Sequence, residues 1–159
     1  MKNTTLCYIR WDDLYLMLYR DKKEYDQSQG KYLGVGGKFL EGETPEECVI
    51  REVREETGFK LVEYEFRGVV HFRSDIWDDE DMYLFSATGF EVPAETPLID
   101  GMPLPECDEG TFQWVPEDKL LDLPMWEGDR HFLTAMAQGE HDIEMTLRYE
   151  GDTLVEVRL

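Results

Sequence analysis

The segment from Thr44 to Gly58 writes both ends of a helix into the sequence, and it limits what the rest of the chain can build around it. Thr44 is an N-cap residue, Pro45 fits the first helical position, and Glu47 completes a capping box with Thr44. Gly58 suits the left-handed conformation that stops a helix. With side chains turning about 100° per residue, Val49, Ile50, Val53 and Thr57 form an apolar flank, while Glu47 and Arg54 face solvent. Beside that flank Glu52, Glu55 and Glu56 stand at i, i+3 and i+4, positions whose Cβ atoms lie roughly 5–6 Å apart on one face. Arg51 sits on the shoulder of this face, one turn from Glu55, where it can orient or neutralise a carboxylate. Like charges held so close repel unless a cation sits among them. Hard divalent ions such as Mg²⁺ take carboxylate oxygens and complete their shells with water and substrate phosphates. The helix therefore reads as a metal platform for phosphate chemistry, set against the ordinary alternative of a solvated acidic surface.

The chain has 159 residues, of which 42% are hydrophobic, enough for the core of one domain over residues 1–159. The longest apolar run, Leu14–Tyr19, is too short to span a bilayer, and no secretory leader pattern opens the chain, so a cytoplasmic location is the default expectation. Cys7, Cys48 and Cys107 are scattered, with no Cys-x-x-Cys pair, which argues against a disulfide framework or structural zinc. Cys48, one turn ahead of Glu52, is small enough to leave the acidic face open. His71, His131 and His141 lack ligand spacing and are read as incidental. A formal net charge of −20 disfavours nucleic-acid polymers and anionic membranes. A polyanionic small molecule would also be repelled unless metal ions and local lysines or arginines attract it.

Thr5–Arg10 and Leu14–Tyr19 are expected as strands joined by a tight turn, followed by a polar, mobile loop, Asp21–Lys31, over a site. Tyr32–Val35 is a short strand entering the glycine run before the helix. Lys60–Arg73 and Met82–Val92 are long strands, and Pro93–Asp108, with four prolines, is loop. Glu109–Val115 is a further strand and Asp129–Ala137 a second helix, and a closing hairpin turns at Glu150-Gly151. Gly34-Val35-Gly36-Gly37-Lys38 lacks the phosphate-loop spacing, and its glycines are expected to permit a sharp turn that exposes a backbone carbonyl to metal.

Gly37, Glu43, Arg51-Glu52-Val53, Glu55-Glu56 and Gly58-Phe59 match every defining position of the Nudix box. The chain thus resembles the Nudix hydrolases, and over nearly its full length the MutT/MutX-type 8-oxo-dGTP diphosphatases. The matching stretches outside the box include Gly30–Lys38, Asp108–Pro116, Pro124–Asp129 and the Tyr149–Asp152 turn. The resemblance implies an α/β/α sandwich with a mixed central sheet. It implies metal ligation by the carbonyl of Gly36 and by Glu52, Glu55 and Glu56. Glu109 would be a further ligand or the general base, and Trp126 and Asp129 would hold the purine. An indole offers a stacking face and a carboxyl can pair with a purine edge, although a core anchor is the plainer reading of Trp126. Lys22, Lys23 or Lys38 could bind outer phosphates, with solvated lysines the alternative. Animal-type enzymes carry a polar base-reading residue where this chain has Leu33 and a second acid where it has Gly128.

The implied reaction is hydrolysis of a nucleoside triphosphate to a monophosphate and diphosphate. It would use two or three Mg²⁺, with Mn²⁺ as a possible substitute, and Glu56 or Glu109 as base. The protein would be a monomer or homodimer acting on a small-molecule nucleotide in sanitation of the nucleotide pool and DNA repair. ADP-ribose, a dinucleoside polyphosphate or an ordinary dNTP remains open as substrate. A nucleotide-sensing domain without catalysis would have to explain why every box glutamate is present. A calcium-binding protein lacks its Asp-x-Asp-x-Asp-Gly loop.

Overall fold

A computed structural model describes residues 1–159. The first strand, β1 (Lys2–Trp11), is buried without interruption from Thr4 to Ile9, as a strand covered on both faces must be. It pairs antiparallel with β2 (Leu14–Tyr19) and parallel with β5 (Glu80–Glu91). Between them in sequence come β3 (Tyr32–Leu33), helix α1 (Pro45–Thr57) and the long β4 (Lys60–Ser74). Two short strands, β6 (Leu98–Ile99) and β7 (Met102–Pro103), precede β8 (Thr111–Pro116). A 3₁₀ turn (Glu117–Asp122) leads to α2 (Glu127–Ala137) and the hairpin of β9 (Ile143–Glu150) and β10 (Thr153–Arg158). The main sheet runs β10-β9-β4-β5-β1-β2-β3, with β8 also on β2; β4 and β9 are parallel, which makes the sheet mixed.

Alternation along β1 divides the core. Cys7 and Ile9 face α1 with Val49, Val53 and Phe59, whereas Leu6 and Tyr8 face α2 with Phe132, Leu133 and Met136. The result is an α/β/α sandwich, as expected. The caps of α1 form as read: Thr44 and Glu47 exchange the capping-box hydrogen bonds, and Gly58 has φ 80°.

Four local expectations are corrected. Residues 93–108 contain the β6–β7 hairpin, turned by Asp100 and Gly101 at positive φ; four prolines hid an Asp-Gly turn. The eighth strand starts at Thr111, leaving Glu109 in the loop before it. The second helix starts at Glu127, two residues early, because Gly128 masks its first turn. Gly34, Gly36 and Gly37 are not in the left-handed region, so the glycine run is no sharp turn. It is a close approach: a Cβ on Gly36 would lie 1.9 Å from the Thr5 carbonyl oxygen.

Candidate functional site

One end of the sheet opens into a cleft of about 590 Å³, lined by residues from β1, β2, β5, α1, β9, the N-terminal turn of α2 and the loops before β3, α1 and β8. Of the residues singled out by sequence, Lys23, Leu33, Gly36, Lys38, Glu52, Glu56, Glu109, Trp126 and Asp129 all line it. Arg51, Glu55 and Lys22 do not. Glu55 is 58% exposed and turned to Arg51, and Lys22 donates to the Cys107 carbonyl.

At the acidic end, α1 presents Glu52 and Glu56 to the cleft. Gly37 makes room for Glu52, because a Cβ there would lie 2.5 Å from the carboxylate. Arg51 organises this end. Nε and Nη2 donate to the two oxygens of Glu43 at 2.7 and 2.9 Å, Nη1 donates to Glu52 at 2.7 Å and to Glu55 at 3.1 Å, and Nη2 also reaches the Lys38 carbonyl. The Arg51 guanidinium holds the Glu43 carboxyl down at about 2. Its own charge is locked in by the same bonds. Across the cleft Glu109 is 3.4 Å from the Lys23 ammonium and 3.6 Å from the Arg20 guanidinium. Cys48, buried beneath, touches Thr5 Oγ1 and the Gly37 carbonyl.

Glu56 is the exception to this pairing. Its Oε2 is enclosed and has no hydrogen-bond partner. Burial, and then Glu109 and Glu52 beside it, push its carboxyl up to about 9. The carbonyls of Val35 and Gly37 accept from the Cys7 and Thr5 amides, while the Gly36 carbonyl takes no backbone hydrogen bond, and Gly36 itself is among the residues lining the cleft. No three acidic, histidine or cysteine side chains close into a ready cage. Instead Arg51, Arg20 and Lys23 supply the positive charge that crowded carboxylates demand. The donors are hard oxygens, and Glu56 keeps its proton for want of a counter-charge that a cation would supply, so the set fits a divalent ion of the Mg²⁺ type.

The other end is aromatic. Trp126 is 5% exposed, packs edge-on against Phe72 and Tyr149, and donates its indole N–H to Ser28 Oγ at 3.0 Å. Lys31 sits over its ring at 4.6 Å, so a base can stack on that face only after Lys31 moves. Asp129 is also 5% exposed, and burial followed by the charge of Glu80 pushes its carboxyl up to about 8. Sequence reading missed Glu80, which lines the same cleft from β5 and accepts from Thr4 Oγ1 at 2.6 Å. It also missed Arg20, which ties the loop 21–31 to the acidic end through Asp26 at 2.7 Å and Glu109. Neither lies in a local pattern that marks it. Gly128 has no room for a second acid: a Cβ would lie 2.5 Å from Leu147 Cδ1.

The NUDIX domain model matches residues 3–136. The chain belongs to the Nudix hydrolase family. It is 31% identical over 149 residues to the uncharacterised Nudix hydrolase YvcI of Bacillus subtilis, covering 94% of this chain and 87% of that one. It is 30% identical over 139 residues to an oxidized purine nucleoside triphosphate hydrolase of Danio rerio, covering 82% and 78%. Among solved structures, a mutator MutT protein of Bacillus halodurans superposes with a TM-score of 0.83 at 26% identity, covering 99% of this chain and 97% of that one. The Nudix fold is thereby present nearly end to end. No helix is long and apolar enough to cross a membrane.

Proposed function

We propose that this Nudix hydrolase is a Mg²⁺-dependent nucleoside triphosphate pyrophosphohydrolase that converts 8-oxo-dGTP and water to 8-oxo-dGMP and diphosphate. The observation that carries the reading is the pairing, in one cleft, of the unpartnered Glu56 carboxyl beside Glu109 with the buried Trp126 and Asp129. The likeness to the Danio rerio enzyme supports the oxidised-purine assignment.

Glu52, Glu56, Glu109 and the Gly36 carbonyl would hold the ions, and Glu55 would join them by turning in from Arg51. When bound, such ions neutralise the triphosphate and acidify a water. The chain's own residues do the rest. Arg51 fixes Glu52 against rotation, and Lys23 and Lys38 at the rim receive outer phosphate oxygens. Trp126 and Asp129 fix the base, so that the water and the scissile P–O bond meet in line. The water oxygen bonds to phosphorus, the bond to the diphosphate oxygen breaks with its electron pair, and the released proton passes to Glu56 or Glu109.

A second reading is favoured by Leu33 on the cleft wall and by the side-chain-free Gly128: the same chemistry on another nucleoside diphosphate derivative, such as a dNTP, ADP-ribose or a dinucleoside polyphosphate. A substrate panel with product identification separates the two. The primary reading expects 8-oxo-dGTP to exceed dGTP strongly in kcat/KM with diphosphate released; equal rates, or release of phosphate alone, would overturn it.

A further inference from the structure

A second cavity of about 310 Å³ lies on the α2 side of the sheet and shares no lining residue with the cleft. Tyr8 stands between them: Gly34 of the cleft packs against its ring, and the same ring lines the second cavity. The inner wall is apolar, made by Tyr8, Leu120, Leu133 and Met136.

Against this wall lies Arg67, only 8% exposed. Its guanidinium donates to the Met136 carbonyl at 2.7 Å, the Glu140 carbonyl at 2.9 Å and Ser86 Oγ at 3.0 Å. All three are neutral acceptors. No carboxylate approaches it within ion-pair distance, although the chain carries 36 acidic residues against 16 lysines and arginines. The one acid on the wall, Glu117, is held by Arg10 at 3.1 Å. A buried charge is ordinarily paired, because the end of a helix offsets only part of its desolvation. A guanidinium has five N–H donors, so two of those on Arg67 remain unspent. An apolar cavity with an uncompensated cation on its wall is complementary to an amphipathic anion.

We propose that this cavity is a second ligand site, taking a small carboxylate with a hydrocarbon body: the carboxylate on Arg67, the body among Tyr8, Leu120, Leu133 and Met136. The site does not depend on which nucleotide the cleft takes. The volume is near the lower end of ligand pockets, roughly 300–1,000 Å³, and suits a short-chain or monocyclic acid.

Octanoate, octanol and octylamine titrated into the full chain test this by amide chemical-shift mapping. Octanoate should give saturable shifts around Arg67, Ser86 and Leu133, with octanol and octylamine weaker by roughly tenfold or more. Arg67→Met keeps the aliphatic stem and should lose that preference. Arg67 also fastens the end of α2, so a second variant leaves it intact: Ala137→Trp, at an exposed position on the cavity wall, should block binding with circular dichroism and turnover unchanged. Octanol binding as tightly as octanoate, shifts centred on Trp126, or undiminished binding in Ala137→Trp would each overturn the proposal.

Discussion

Glu56 combines an enclosed, unpartnered oxygen with two acidic neighbours, and no other carboxylate of the cleft is so exposed to a missing counter-charge. Glu56→Gln should lower turnover by roughly 10²–10³-fold while circular dichroism stays that of the parent. Arg51 is the complementary case. Arg51→Lys keeps a charge but loses the two-pronged grip on Glu43; kcat should fall roughly 10–100-fold with the fold retained, as measured by steady-state kinetics. Asp129 makes a prediction about pH. Its carboxyl is raised from 3.8 to about 8, so the folded chain keeps a proton that the unfolded chain gives up near pH 4. Its contribution to stability is therefore full at low pH and is lost as pH rises between about 4 and about 8. Asp129→Asn should flatten that part of the profile, stabilising the chain more at about pH 8 than at about pH 5 in denaturant melts.

Elements were legible where their signals are local. Thr44, Pro45, Glu47 and Gly58 act within one turn of the helix they bound, so the ends of α1 could be read directly. The β6–β7 hairpin was not read, because one Asp-Gly pair lay among four prolines that spoke for loop. The cleft divides in the same way. Glu52 and Glu56 share a helix face by periodicity, whereas the charge of Glu80 is felt at Asp129 only because β5 lies beside β1, and Arg20 meets Glu109 only because β8 pairs with β2. No spacing in the chain encodes that adjacency. The junction of α2 with β9 gives a sharper test at this scale. A methyl group on Gly128 would press on Leu147 and the Tyr149 hydroxyl, so Gly128→Ala should cost about 1–3 kcal/mol in equilibrium unfolding.

At the scale of the molecule, a charge of −20 sets the terms on which an anionic substrate can enter. Arg51 and Arg20 are committed to carboxylates at the acidic end and Lys23 is shared with Glu109, so most of the remaining attraction must come from ions that accompany the proposed nucleotide. Self-repulsion of the whole chain should be relieved by salt, but relief by a divalent ion should be localised to Glu52, Glu56 and Glu109. The most direct measurement is calorimetric titration of Mg²⁺ near pH 8 in buffers of differing ionisation enthalpy. Because Glu56 rests protonated up to about 9, binding should release about one proton, and Glu56→Gln should bind more weakly with that release abolished. Mg²⁺ that binds without releasing a proton, or that binds Glu56→Gln as the parent does, would contradict the role of the acidic face of α1 as a cation platform.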